Sequence, residues 1–167
     1  MDMLHFDYSE DLKRLIQKYL DEKDYKYEFD TSMGVFRMPF GVGGLCKALQ
    51  YHIVVYETEY MVSVQSRFHA DPDDAGTLNE MAKLLCLINY NIKTGSLSMD
   101  SRGDIRYRYT VECTNCPPSK EVIERSILSA AWCFSHYENA FYHVLLGEMT
   151  TTQAEMELDV FNPVKDE

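Results

Sequence analysis

A chain of 167 residues, 46 % of them hydrophobic, is large enough to bury about 70 % of the surface its unfolded form exposes, so neither disulfides nor a structural metal are needed for folding. With 16 Lys and Arg against 27 Asp and Glu, its formal charge of −11 repels polyphosphate and excludes nucleic acid as a general partner. No apolar run approaches the roughly 18 to 20 residues of a membrane-spanning helix, and the acidic start Met1-Asp2-Met3-Leu4-His5-Phe6-Asp7 lacks the bases of a secretory signal; the expectation is a cytoplasmic protein with no membrane partner.

The first predicted helix covers residues 10 to 21. Ser9 caps it, Glu10 and Asp11 suit its positive end, and Leu12, Leu15, Ile16, Tyr19 and Leu20 recur at helical spacing. Asp21-Glu22-Lys23-Asp24 ends that stripe, and Tyr25, Tyr27 and Phe29 alternate with Lys26 and Glu28 as an extended segment entering a sheet. Residues 35–40 are rich in strand formers, but Pro39 removes a backbone donor, which places this piece on an edge or ends it there. Gly41-Val42-Gly43-Gly44 reads as a flexible loop; a phosphate loop would need a helix and a Lys followed by Ser or Thr behind it, and Leu45-Cys46-Lys47-Ala48 follows instead. Residues 51–56 and 59–68 form a hairpin that turns around Glu57-Thr58.

Asp71-Pro72-Asp73-Asp74 opens a second helix over 73–92, with the stripe Leu78, Met81, Leu85, Ile88 and Ile92. The clearest element follows. Ser96-Leu97-Ser98-Met99 and residues 104–112 both alternate with period two, and Asp100-Ser101-Arg102-Gly103 joins them as a tight turn. Ile105, Tyr107, Tyr109 and Val111 point one way; Arg106, Arg108, Thr110 and Glu112 point the other. Pro117-Pro118 ends the sheet, and Ser119 caps one long helix over 119–146 that stops at Gly147. The order α-β-β-β(-β)-α-β-β-α predicts an α+β two-layer sandwich, an antiparallel sheet with helices packed on one face. Residues 1–147 make a single domain, and 148–167 an acidic, loosely held tail with room for one amphipathic turn.

Leu87-Ile88-Asn89-Tyr90-Asn91-Ile92, then Gly95, Leu97, Asp100 and Ile105-Arg106-Tyr107-Arg108, resemble the central motif of the YbjN-like domain, a bacterial family labelled sensory transduction regulators. The resemblance covers about residues 10 to 147. It implies the fold of type III secretion chaperones, a protein-binding role of chaperone-like or regulatory type, and a tendency to form homodimers. Asn89, Asn91 and Gly95 match the motif as structural residues, whereas Tyr90 stands where the family usually carries Arg. Two Asn at a helix end can bond orphan carbonyls, and Gly95 lets the chain reverse into the strand.

No residue pattern nominates a catalytic group, a cofactor or a metal. Paired acids such as Asp73-Asp74 are explained by the helix start, and His136 and His143 lie seven positions apart, too far for a helical metal pair. Cys113-Thr114-Asn115-Cys116 has the spacing of a zinc or redox pair but lacks a second pair; a thiol or metal sensor is the alternative function, beside an enzyme with an unrecognised site. Cys46, Cys86, Cys113, Cys116 and Cys133 are expected to be reduced and metal-free. Arg106, Tyr107, Arg108 and Tyr109 are the candidate partner-binding residues, because a sheet face without helices meets solvent unless a partner covers it, and Arg forks grip carboxylates. Pairing of the two arginines with Asp100 or Glu112 is the plainer alternative. Twelve Tyr and eight Phe exceed what a small core asks for and suggest an interface, with a protein partner, a bound peptide segment or a second copy along a sheet edge or the last helix.

Overall fold

A computed structural model describes residues 7–161; residues 1–6 of the acidic start and residues 162–167 of the expected tail lie outside that range. The elements are α1 (Glu10–Glu22), β1 (Glu28–Asp30), β2 (Val35–Gly43), β3 (Lys47–Val55), β4 (Glu59–His69), α2 (Ala75–Asn91), β5 (Ser96–Met99), β6 (Asp104–Glu112), α3 (Lys120–His136), α4 (Glu138–Leu145) and α5 (Thr151–Glu157), followed by a 3-10 turn at Asp159–Phe161. The six strands form one antiparallel sheet in the order β1-β2-β3-β4-β6-β5. This is the α+β fold that the alternating patterns predict. None of the helices is long and apolar enough to cross a membrane, among the described residues.

Side-chain alternation separates the two faces of the sheet. Phe36, Met38, Leu49, Tyr51, Ile53, Tyr60, Val62, Val64, Ile105 and Tyr107 are buried against the helices, together with Ile127, Ala130, Phe134, Phe141 and Val144 from α3 and α4. Their strand neighbours Arg37, His52, Ser63, Gln65, Arg106 and Arg108 retain solvent access. The aromatic side chains expected at an interface mostly belong to this core, where Phe68 and Phe134 both lie against Phe141. Buried hydroxyls find partners: Tyr51 Oη donates to the Ile127 carbonyl at 2.8 Å, and Tyr60 Oη meets Ser126 Oγ at 3.0 Å. Ser126 spends its single proton on the Ile123 carbonyl, so Tyr60 is the donor of that pair.

Three expectations need correction. The glycine cluster is not a free loop: β2 continues to Gly43 and pairs with β3 from Lys47, with a bulge between Gly41 and Gly43. The turn is latched by Glu138, whose carboxylate accepts from the amides of Leu45 (2.8 Å) and Cys46 (3.1 Å), so these backbone donors hold the chain's own anion. Pro39 does lie where β2 is itself the edge, beyond Arg37, the last residue on that side paired with β1. The long last helix is two helices broken at Tyr137, which turns its ring into the core beside Phe161 and frees Glu138 to reach the β2–β3 turn.

Residues 148–161 are docked rather than loose. Thr150 starts α5 with a capping box to Gln153, and Thr151 donates from its amide to the Glu80 carboxylate (2.8 Å) and from its hydroxyl to the Glu80 carbonyl (2.7 Å). Ala154 is fully buried, and His136 Nε2 lies 3.0 Å from the Val160 carbonyl.

Candidate functional site: the uncovered sheet face

The motif residues act as structure. Asn91 Nδ2 donates at 2.8 Å to the Leu87 carbonyl one turn back in its own helix, a carbonyl inside the helical ladder rather than the orphan expected. Asn89 does something different. Its amide donates to the Leu97 carbonyl (3.0 Å) and accepts from the Leu97 amide (2.7 Å), filling the hydrogen-bonding slot that a further strand would use on the outer side of β5. Since β5 is an edge strand, Asn89 closes that edge to another chain at Leu97. Gly95 has φ +67°, and a methyl there would strike the Tyr107 ring. Tyr90 is 90 % exposed and takes no part in the lock.

The four candidate partner-binding residues split between the faces. Tyr107 is buried beneath the helices and donates to the Thr94 carbonyl at 2.8 Å; Tyr109 is half-buried on the same side. Arg106 and Arg108 project from the opposite face, and the structure brings to them two residues that alternation alone did not single out. By register, Arg37, His52, Ser63, Arg108 and Ser96 form one row across β2, β3, β4, β6 and β5, and Pro39, Gln50, Gln65, Arg106 and Ser98 form the next. Arg37 alternates with the buried Phe36 and Met38, a signal that would have placed it on this face had its strand been aligned with β6.

Expected acid partners hold these arginines only in part. Arg106 Nη2 lies 3.9 Å from Asp100 Oδ2, and the Asp100 carboxylate chiefly serves its own turn, accepting from the amides of Arg102 and Asp104. Arg106 Nε is shielded from solvent and has no hydrogen-bond partner among the described residues. Glu112 is taken up by the Thr114 hydroxyl and amide. Arg37 is better tied, with Nη2 3.1 Å from Asp30 Oδ2. An open depression of about 300 Å³, lined by Pro39, Ala48, Gln50, Gln65 and Arg67 among others, adjoins the second row.

His52 reports the electrostatics of the face. Burial lowers its pKa, and the cations Arg37 and Arg106 lower it further. Because the folded value lies below the unfolded value of about 6.5, the neutral ring contributes stability above that pH and the contribution is lost as pH falls through the folded value. An NMR titration should place the His52 midpoint below that of free imidazole, and Arg106→Gln should move it upward. A midpoint unmoved by the substitution would show that the two side chains do not share one field.

The thiol pair offers less. Cys113 Sγ donates to the Val111 carbonyl and Cys116 Sγ to the Pro117 carbonyl, and burial raises the Cys113 thiol above its ordinary pKa. A raised pKa reduces the thiolate on which both redox chemistry and metal ligation depend. Cys46 and Cys133 are buried, with thiols pushed up to about 11 and about 12. His136 stacks on Trp132, and His143 Nδ1 lies 2.6 Å from Glu148. Among the described residues no group of three or more His, Cys, Asp or Glu is placed to hold a metal ion. Compared with known proteins, the chain matches no family model and no curated protein.

Proposed function

We propose that this chain is a non-catalytic protein-binding module of chaperone-like or regulatory type, belonging with the YbjN-like domains and acting in the bacterial cytoplasm. The observation that carries the reading is the uncovered face of the sheet, where Arg106 and Arg108 meet no carboxylate closer than 3.9 Å among the described residues while the opposite face is sealed by helices. The lock of Asn89, Asn91 and Gly95 supports the family resemblance by giving each matched residue a structural task. A second copy is the weaker occupant of this face, since two chains of charge −11 repel and the edge at β5 is closed by Asn89.

Affinity capture from the native cell with the intact chain tests the class. Arg106→Ala with Arg108→Ala is the control, because it strips the face without entering the core. A protein retained by the parent and released by the double variant supports the module. An identical set of proteins on both baits argues against it.

A further inference from the structure

We propose that the uncovered sheet face takes an acidic, extended peptide segment lying across the strands, its carboxylates gripped by Arg106 and Arg108 on β6 and by Arg37 on β2. This rests on the protein-binding reading above and specifies the chemistry of the partner.

Charge distribution is the first ground. The chain carries 27 acids, yet β2, β3 and β5 contain no carboxylate, those of β4 and β6 lie at strand ends as Glu59, Asp104 and Glu112, and Glu28 and Asp30 of β1 lie beside Arg37 at the margin of the sheet. The centre of the face, around Arg106 and Arg108, is therefore a small cationic patch rimmed by carboxylates. An acidic segment is repelled elsewhere and attracted here, an arrangement that favours specificity and capture rate.

Local chemistry is the second ground. Arg106 keeps only a 3.9 Å contact to Asp100 and its side chain is 32 % exposed, so the open end of its guanidinium remains free to take an incoming carboxylate. Between the arginines lie Ser63, Gln50 and Gln65, and the Gln amides offer both a donor and an acceptor, which matches a peptide bond better than a phosphate. The small extent of the patch also suits a short segment. A nucleic acid strand would run off it onto the acidic surround.

Spacing sets the register of the partner. Arg37 on β2 and Arg108 on β6 are three strand steps apart in one row, about 14 Å at the usual inter-strand separation. An extended chain advances about 3.4 Å per residue, so two carboxylates about four residues apart reach both arginines.

Fluorescence anisotropy with the intact chain provides the test. The probe is a labelled peptide of about ten residues with Glu at every fourth position among Ser and Gly; the comparison arms are its Lys-for-Glu counterpart and a single-stranded oligonucleotide of similar length. The Glu peptide should bind, more weakly as salt rises, and the Lys peptide should not. Arg106→Gln with Arg108→Gln should weaken binding at least about tenfold, with Arg37→Gln showing a smaller loss, while Arg125→Gln on the exposed side of α3 should leave it within about twofold. Unchanged circular dichroism of each variant separates lost contact from lost fold. Equal binding by the double variant, no binding of the Glu peptide, or an oligonucleotide bound as tightly as the peptide would overturn the assignment. If capture still yields an arginine-dependent partner while the Glu peptide does not bind, the acidic chemistry fails and the module stands.

Discussion

Gly103→Ala should destabilise the fold by about 2 to 5 kcal/mol and lower the melting temperature by on the order of 10 °C. Gly103 is buried, has φ +86°, accepts from the Ala70 amide at 3.0 Å and donates to the Asp100 carbonyl at 3.0 Å. A methyl group there would overlap the Ala70 carbonyl, and both partners are backbone, so no side chain can turn away. The left-handed φ adds a penalty of roughly 1 to 2 kcal/mol to the overlap. Gly147 provides the comparison: its φ of +69° imposes a similar conformational penalty, but its missing methyl would meet open space. Gly95→Ala belongs with Gly103→Ala, since its methyl would strike the Tyr107 ring and the Arg108 carbonyl. Thermal or denaturant unfolding should rank Gly103→Ala and Gly95→Ala well above Gly147→Ala in cost. A Gly103→Ala variant as mild as Gly147→Ala would show that the turn between β5 and β6 is not packed against Ala70.

Tyr51→Ala should cost about 3 to 5 kcal/mol, whereas Tyr51→Phe should cost only about 1 kcal/mol. The ring is fully buried in the middle of β3 and lies against Phe40, and its hydroxyl donates to the Ile127 carbonyl of α3, joining sheet to helix layer. Truncation removes the packing and leaves a cavity; the Phe variant removes only the donor. At Tyr60 the corresponding hydroxyl pair is nearly closed on itself, because Ser126 also donates to Ile123. Tyr60→Phe with Ser126→Ala should therefore cost less than the sum of the two single changes, as both ends of the bond are removed together. Additive losses would mean that the two hydroxyls do not act as a pair.

Local signals made much of this architecture legible, and the failures have a common cause. The β5–β6 hairpin follows from period-two alternation and from a turn whose Asp100 and Gly103 perform the tasks their types suit. Helix starts were equally readable at Ser9 and Ser119, each accepting from an amide three residues on, while the second helix begins at Ala75, two residues past its expected start, with Asp74 as its cap. What local pattern cannot carry is a choice made by distant contacts. Nothing in Ser135-His136-Tyr137-Glu138 is a helix breaker, and the break at Tyr137 accompanies a buried ring and a Glu138 carboxylate drawn to a turn more than ninety positions earlier. The docking of α5 depends likewise on Thr151 meeting Glu80.

The candidate site shows the same division. Alternation put Arg106 and Arg108 on the face away from the helices, but it could not align Arg37 and His52 with them, because strand order and register are tertiary facts. Tyr107 and Tyr109, grouped with the arginines by nearness in sequence, belong to the helix side. A strand presents its consecutive residues to two different environments, and a binding surface is built from every second one.

Photo-crosslinking in the native cell tests most directly whether this uncovered face is the working surface. Ser63 sits in the row between His52 and Arg108 and accepts a photo-reactive phenylalanine analogue without entering the core; the same analogue at Arg125, on the exposed side of α3, is the counterpart. We expect adducts to a partner from Ser63, with the attached peptide rich in Asp and Glu, and none from Arg125. Adducts from Arg125 with a silent Ser63 would contradict the assignment and move the working surface to the helices.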